Sequence, residues 1–99
     1  MLVRVFITWL GVTAYPIAVR LARTLRGAGV CTELLVDALP LKKALRLAHR
    51  LNAEYAVIIG DREIAAGCFA VKRLADAMQS GMNEAKLLET LKQPRPDKV

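Results

Sequence analysis

Glu54-Tyr55-Ala56-Val57-Ile58-Ile59-Gly60-Asp61-Arg62-Glu63-Ile64-Ala65-Ala66-Gly67-Cys68-Phe69-Ala70-Val71-Lys72-Arg73-Leu74 decides how this chain folds. Residues 54–59 are a short, largely aromatic and β-branched run that reads as a strand and stops at Gly60. A second apolar run, Cys68 to Leu74, reads as the next strand. Only Asp61 to Gly67 separates the two, whereas a crossover between parallel strands takes about a dozen residues or more. The fourth strand is therefore expected antiparallel to the third, with Asp61 to Gly67 as a solvated turn.

Upstream the connections are longer. Leu2 to Leu10 is a β-branched and aromatic run broken by Arg4, the pattern of a buried parallel strand. Gly11 ends it. Tyr15-Pro16 opens a helix, with proline where a missing N–H costs least. Ala18, Leu21, Ala22 and Leu25 form that helix's core face, and Gly27 and Gly29 stop it. Val30 to Val36 reads as the second strand, and Pro40 starts a second helix. The order β-α-β-α-β predicts parallel strands joined by right-handed crossovers, with helices covering the sheet. Downstream, a turn at Ala75-Asp76-Ala77 leads to a short strand at Met78 to Met82. Asn83 then caps a helix over Glu84 to Lys92 with Ala85, Leu87, Leu88 and Leu91 apolar. Residues 1–92 are expected to form a single domain, and residues 93–99, with two prolines, a flexible tail.

The second helix carries the clearest chemical signal. At roughly 100° per residue, Lys42, Lys43, Arg46, His49 and Arg50 fall within an arc of about 120°. Leu41, Ala44, Leu45, Leu47, Ala48 and Leu51 take the other side. A merely solvated helix interleaves Glu with Lys at i,i+4, yet no acid occurs between Asp37 and Glu54. The whole chain has 15 Lys and Arg against 9 Asp and Glu, a net charge of +6. Residues 1–50 hold 8 basic and 2 acidic residues, and residues 51–99 hold 7 of each, so all of the excess lies in the first half. Such asymmetry points to a polyanion, either nucleic acid or an anionic membrane surface.

Several classes are disfavoured. Ninety-nine residues, 55% hydrophobic and 24% charged with mean hydropathy +0.32, suit one aliphatic globular domain and one function. No apolar run reaches the length of roughly 18 that spans a bilayer. Met1 leads straight into a strand-like run without a signal-peptide pattern, so a soluble, cytoplasmic protein with no membrane association is expected. Cys31 and Cys68 have no metal-ligand spacing and are expected as small core residues in a reducing compartment. The only histidine, His49, has no acid near it in sequence. Gly27-Ala28-Gly29 follows a helix instead of preceding one, so it cannot aim helix N-terminal amides at a phosphate. No nucleophile elbow, Cys-x-x-Cys or zinc-protease motif occurs, and the Asp61 and Glu63 pair sits in a short turn. No catalytic residue, metal site or cofactor is expected.

The segment Ala53 to Gly67, followed by Val71-Lys72-Arg73-Leu74, resembles the C-terminal anticodon-binding domain of class II aminoacyl-tRNA synthetases, most closely that of histidyl-tRNA synthetase. The shared pattern is an apolar strand, Gly-x-x-Glu-Leu/Ile-x-x-Gly, then an alternating strand ending in Val-Lys-x-Leu. It extends from about Val3 to Lys92 and includes the small-residue-rich helix 17–26 that ends in Gly-x-Gly-Val. The resemblance implies a three-layer α/β/α fold with a five-stranded mixed sheet, order 2-1-3-4-5, strand 4 antiparallel. It also implies binding of a tRNA anticodon stem-loop, with amino-acid activation in a separate domain. Lys42 and Lys43 match the paired basic residues that open the family's second helix, where phosphates are met, and Arg46 and Arg50 continue that face. Glu63 matches the Glu of the Gly-x-x-Glu turn and Lys72 the basic residue late in the fourth strand, positions that in related domains lie near anticodon bases. Trp9, at the carboxyl end of the first strand where open α/β sheets bind ligands, is placed either to stack a base or to pack under a helix.

Two departures stand out. Ala44 replaces a residue that is often polar in the family, and Val36-Asp37-Ala38-Leu39-Pro40 replaces a polar loop. These leave an alternative open: a protein-interaction, regulatory or dimerisation module derived from a synthetase paralogue that has lost tRNA binding. The chain also lacks the active-site motifs of a class II synthetase. If it is a piece of a longer protein, the parent is expected to be a histidine-tRNA ligase, and a catalytic domain or a homodimer partner is expected beside it.

Overall fold

Five strands form one mixed sheet in the order β2-β1-β3-β4-β5. They are β1 (Val5–Trp9), β2 (Thr32–Leu34), β3 (Tyr55–Ile59), β4 (Phe69–Arg73) and β5 (Met78–Met82). The computed structural model that shows this describes residues 3–93. Strand β1 runs parallel to both β2 and β3, whereas β4 is antiparallel to β3 and to β5. Four α-helices accompany the sheet: α1 (Tyr15–Gly27), α2 (Leu41–Arg50), α3 (Asp61–Ala66) and α4 (Glu84–Leu91), with a single 3-10 turn at Val12–Ala14.

Every residue of β1 and β3 is buried, which explains why both read as unbroken apolar runs: helices cover both faces. On one face Val5, Ile7, Trp9, Val57, Ile59 and Val71 pack against α1 and α4. Ala18 and Ala22 let α1 approach closely, while Leu21 and Leu25 fill the space beside them, each contributing about 2 kcal/mol by leaving water. On the other face Phe6 and Ala56 pack against Ala44 and Ala48 of α2. The α2 layer does not extend over the β4–β5 side of that face, where Ala70 and Lys72 are half-buried and Gln79 and Gly81 exposed. The sheet is thus closed on one side and half open on the other.

The expected antiparallel fourth strand is present, but Asp61 to Gly67 is not a loop. It folds as α3, short enough to leave β4 beside β3 without a crossover. Glu63 Oε1 accepts from the Gly60 N–H at 2.8 Å, satisfying a donor the helix start leaves free, and Gly67 ends the helix at φ 71°. Strand β2 is shorter than the expected Val30 to Val36, because the Val30 N–H is drawn back to the Leu25 carbonyl at the end of α1. Helix α2 stops at Arg50 because Asn52 adopts φ 57°. Cys31 and Cys68 are free thiols but half-buried, at the strand starts, instead of inside the core. The tail expected over 93–99 lies outside the described residues from 94 onward.

Arg4, the one charge in the first apolar run, joins three elements. Its Nε donates to Glu54 Oε1 at 2.8 Å and Nη1 to the Leu91 carbonyl at 2.8 Å, while Nη2 reaches the Gln93 carbonyl. One guanidinium therefore neutralises the buried Glu54 at the start of β3 and satisfies carbonyls that the end of α4 leaves without helical partners.

Candidate nucleic-acid interface

Helix α2 has the sidedness that its sequence requires. Ala44 and Ala48 are fully buried, whereas Lys42, Lys43, Arg46, His49 and Arg50 are all exposed. Among the described residues the ion pairs are Arg4–Glu54 and Arg73–Asp76, so none of the five is paired with an acid. The start of the helix is unusual in a second way. Pro40 at the N-cap supplies no side-chain cap, and the first turn holds Lys42 and Lys43 but no acid. Two cations at the positive end of a helix dipole oppose its field and cost stability. The same arrangement concentrates positive potential where an anion would be held.

Beside this helix end lies a groove on the open face of the sheet. It consists of two adjoining cavities of about 340 and 310 Å³ that share Arg62, Glu63, Ala70 and Gln79. Leu41, the first residue of α2, lines the larger one together with Leu10 and Ile58, so the cationic helix opens onto the groove. Lys72 pairs in register with Gln79 across β4 and β5, and residues opposite one another in a ladder share a face. Lys72 therefore stands on the same open surface. The groove combines an apolar floor with both signs of charge, a setting suited to a planar ligand with hydrogen-bonding edges.

Lys42, Lys43, Arg46 and Arg50 are brought together on one exposed face. Glu63 and Lys72 lie at and beside the groove, although one oxygen of Glu63 is already committed to Gly60. Trp9 is a correction: it is 8% exposed, its Nε1 donates to the Leu35 carbonyl at 2.6 Å, and its ring meets Tyr15 edge-on with centroids 4.8 Å apart. It packs within the core and has no face to offer a base. His49 belongs to the stripe as one more exposed polar group. Ala44 points into the core, so its lack of a polar group follows from packing against the sheet and removes nothing from the exposed surface. Sequence reasoning missed Arg62, Gln79 and Gly81. Only a period-two reading of 78–82 against β4, which needs the register, places Gln79 beside Lys72.

The β4–β5 turn is fastened by Arg73, whose guanidinium donates twice to the Asp76 carboxylate, at 2.7 Å from Nη2 and 3.1 Å from Nε. Those hydrogen bonds hold the Asp76 carboxyl below the usual carboxylate range and raise Arg73 further. Among the described residues no helix is long and apolar enough to cross a membrane.

The family model described as an anticodon binding domain matches residues 4–94. The chain belongs to the anticodon-binding domain family. A histidine–tRNA ligase of Chlorobium phaeovibrioides is 38% identical over 77 residues, covering 78% of this chain and 18% of the ligase. Among solved structures, apo histidyl-tRNA synthetase of S. aureus superposes with a TM-score of 0.84 at 26% identity, covering 93% of this chain and 24% of the synthetase. The RNA binding domain of threonyl-tRNA synthetase from Cryptosporidium parvum has a TM-score of 0.83 at 16% identity, over 90% of this chain and 22% of that one, a likeness of fold. The chain spans 16 to 21% of the length of the curated ligases it matches. This anticodon-binding domain has its antiparallel fourth strand beside a parallel β2-β1-β3 core.

Proposed function

We propose that this anticodon-binding domain binds the anticodon stem-loop of a tRNA, within a histidyl-tRNA synthetase-like protein, and does not itself catalyse aminoacylation. The observation that carries the reading is the unpaired cationic face of α2, a helix whose first residue, Leu41, lines a groove with an apolar floor. Phosphates of the stem are held by Lys42, Lys43, Arg46 and Arg50, while unpaired loop bases enter the groove near Glu63 and Lys72. A carboxylate accepts from a base amino group and an ammonium donates to a base carbonyl, so the groove suits splayed single-stranded bases. The ligation reaction belongs to a separate catalytic domain of the parent protein, which acts in the cytoplasm, and linking the two raises their effective concentration on one tRNA.

The test is titration of histidine-tRNA anticodon stem-loop RNA, and of the same RNA with a scrambled loop, into the labelled protein across a salt series. Each phosphate contact contributes about −0.7 to −0.9 to the slope of log affinity against log salt. The Lys42→Ala, Lys43→Ala variant is expected to flatten the slope by about 1.5 while melting at or above the wild-type temperature, since both lysines oppose the helix dipole. Binding indifferent to salt, or unaltered by the double substitution, would exclude the reading.

A further inference from the structure

Ala70 and Gly81 face each other across β4 and β5 on the part of the sheet that α2 leaves open. Glycine inside a strand is unfavourable, because it loses more backbone entropy than other residues and has no side chain to pack. At Gly60 and Gly67 the fold supplies a reason. A Cβ at Gly60 would lie 3.0 Å from the Glu63 carboxylate that caps α3, and Gly67 has φ +71°. At Gly81 it supplies neither. The backbone there is outside the left-handed region, and an added Cβ would meet only Cys68 Sγ, at 3.4 Å. Neither turn geometry nor crowding asks for glycine at this position. A strand glycine without such a reason marks a place where something approaches the backbone closely.

The missing side chain leaves a flat floor made of the Ala70 methyl and the Gly81 backbone. Glu63, Arg62 and Gln79 line the hollow above it, and Lys72 stands next along β4, opposite Gln79. Resting on the RNA-binding reading above, we propose that the Ala70–Gly81 pair is the platform for one unpaired base of the bound RNA, and that Gln79 reads the edge of that base. An unpaired base has an apolar face to lay on the floor and a hydrogen-bonding edge to present at its rim. The Gln79 amide carries a donor and an acceptor in one plane, the arrangement that pairs with a base edge through two hydrogen bonds. Arg62 in the lining, Lys72 beside it on the same face, and the α2 stripe beyond Leu41 favour an occupant attached to phosphate. Gln79 is exposed, so its side chain is free to meet a ligand.

The experiment uses the full chain with Gly81→Val and Gln79→Ala, titrated with the native-loop and scrambled-loop stem-loop RNAs over the same salt series. A β-branched residue suits a strand, so Gly81→Val is expected to melt at or above the wild-type temperature while binding native-loop RNA about tenfold more weakly. Gln79→Ala, at an exposed position, is expected to reduce the preference for the native over the scrambled loop by about tenfold. Both variants are expected to keep the wild-type salt slope, because neither touches a phosphate. Native-loop affinity and preference within about twofold of wild type in both variants would overturn the platform while leaving the RNA-binding reading intact. Wild-type protein that binds neither RNA at low salt would overturn both.

Discussion

Glu63 illustrates how one side chain can serve the fold and the site together. One oxygen holds the Gly60 amide at 2.8 Å, while the residue lines both cavities of the groove. Removing it therefore has two effects that ordinary binding assays would merge. Glu63→Ala is expected to lower stability by about 1 kcal/mol, the usual cost of a lost cap, whereas Glu63→Gln keeps an acceptor for Gly60 and is expected to stay within about 0.5 kcal/mol of wild type. Denaturant unfolding of the two variants checks this, and equal losses would mean that Glu63 does not cap. If Glu63→Gln then binds RNA weakly while remaining folded, the negative charge itself is used by the ligand. At this scale the sequence was informative about charge and uninformative about burial. Lys42 and Arg46 could be placed on a solvent face by helical periodicity, but nothing local distinguishes a stacking tryptophan from a packed one. What fixes Trp9 is the Leu35 carbonyl and the Tyr15 ring, both supplied by tertiary structure.

Helix α2 is built against its own stability. Its first turn puts Lys42 and Lys43 at the positive end of the dipole with no cap and no acid, an arrangement that each unfavourable charge makes costlier by about 0.3–1 kcal/mol. Reversing both charges separates function from folding. Lys42→Glu, Lys43→Glu removes two unfavourable charges and adds two favourable ones, so it is expected to raise stability by about 1–4 kcal/mol and to abolish stem-loop binding at moderate salt. Thermal unfolding beside the RNA titration tests both halves, and a destabilised variant would mean that the lysines support the helix in some way their exposure does not reveal. Among the elements, α1, α2 and β5 were legible because each carries a sustained period or a clean boundary. Helix α3 was not, since six residues are too few for a period to show. Its remaining signals were Asp61 and Glu63 in a first turn and Gly67 at the end, marks that a charged turn shares.

The molecule as a whole is asymmetric: helices α1 and α4 cover one face of the sheet and α2 covers only part of the other. The strand order followed from connection lengths, but the open half of the second face did not, because no sequence rule says how far α2 reaches across a sheet. Cohesion at the far end from the groove depends on Arg4, whose side chain is 17% exposed beside Glu54 at 8%. Arg4→Met leaves the Glu54 charge buried without its partner, and a loss of about 3 kcal/mol is expected, with faster amide exchange in α4. The Arg4→Met, Glu54→Gln double variant is expected to lose less than the sum of the single changes, and strict additivity would exclude the coupling. The same guanidinium has a geometric consequence. By bonding to the carbonyls of Leu91 and Gln93 it seats residue 4 beside residue 93, while the groove opens around Leu10 and Gly60 at the other end of β1 and β3, about 17 Å away along five residues of strand. Polypeptide grafted before residue 4 and polypeptide grafted after residue 93 would therefore emerge at one shared pole. The domain has the layout of a cassette that can be spliced into a host protein at that pole with its working surface turned outward.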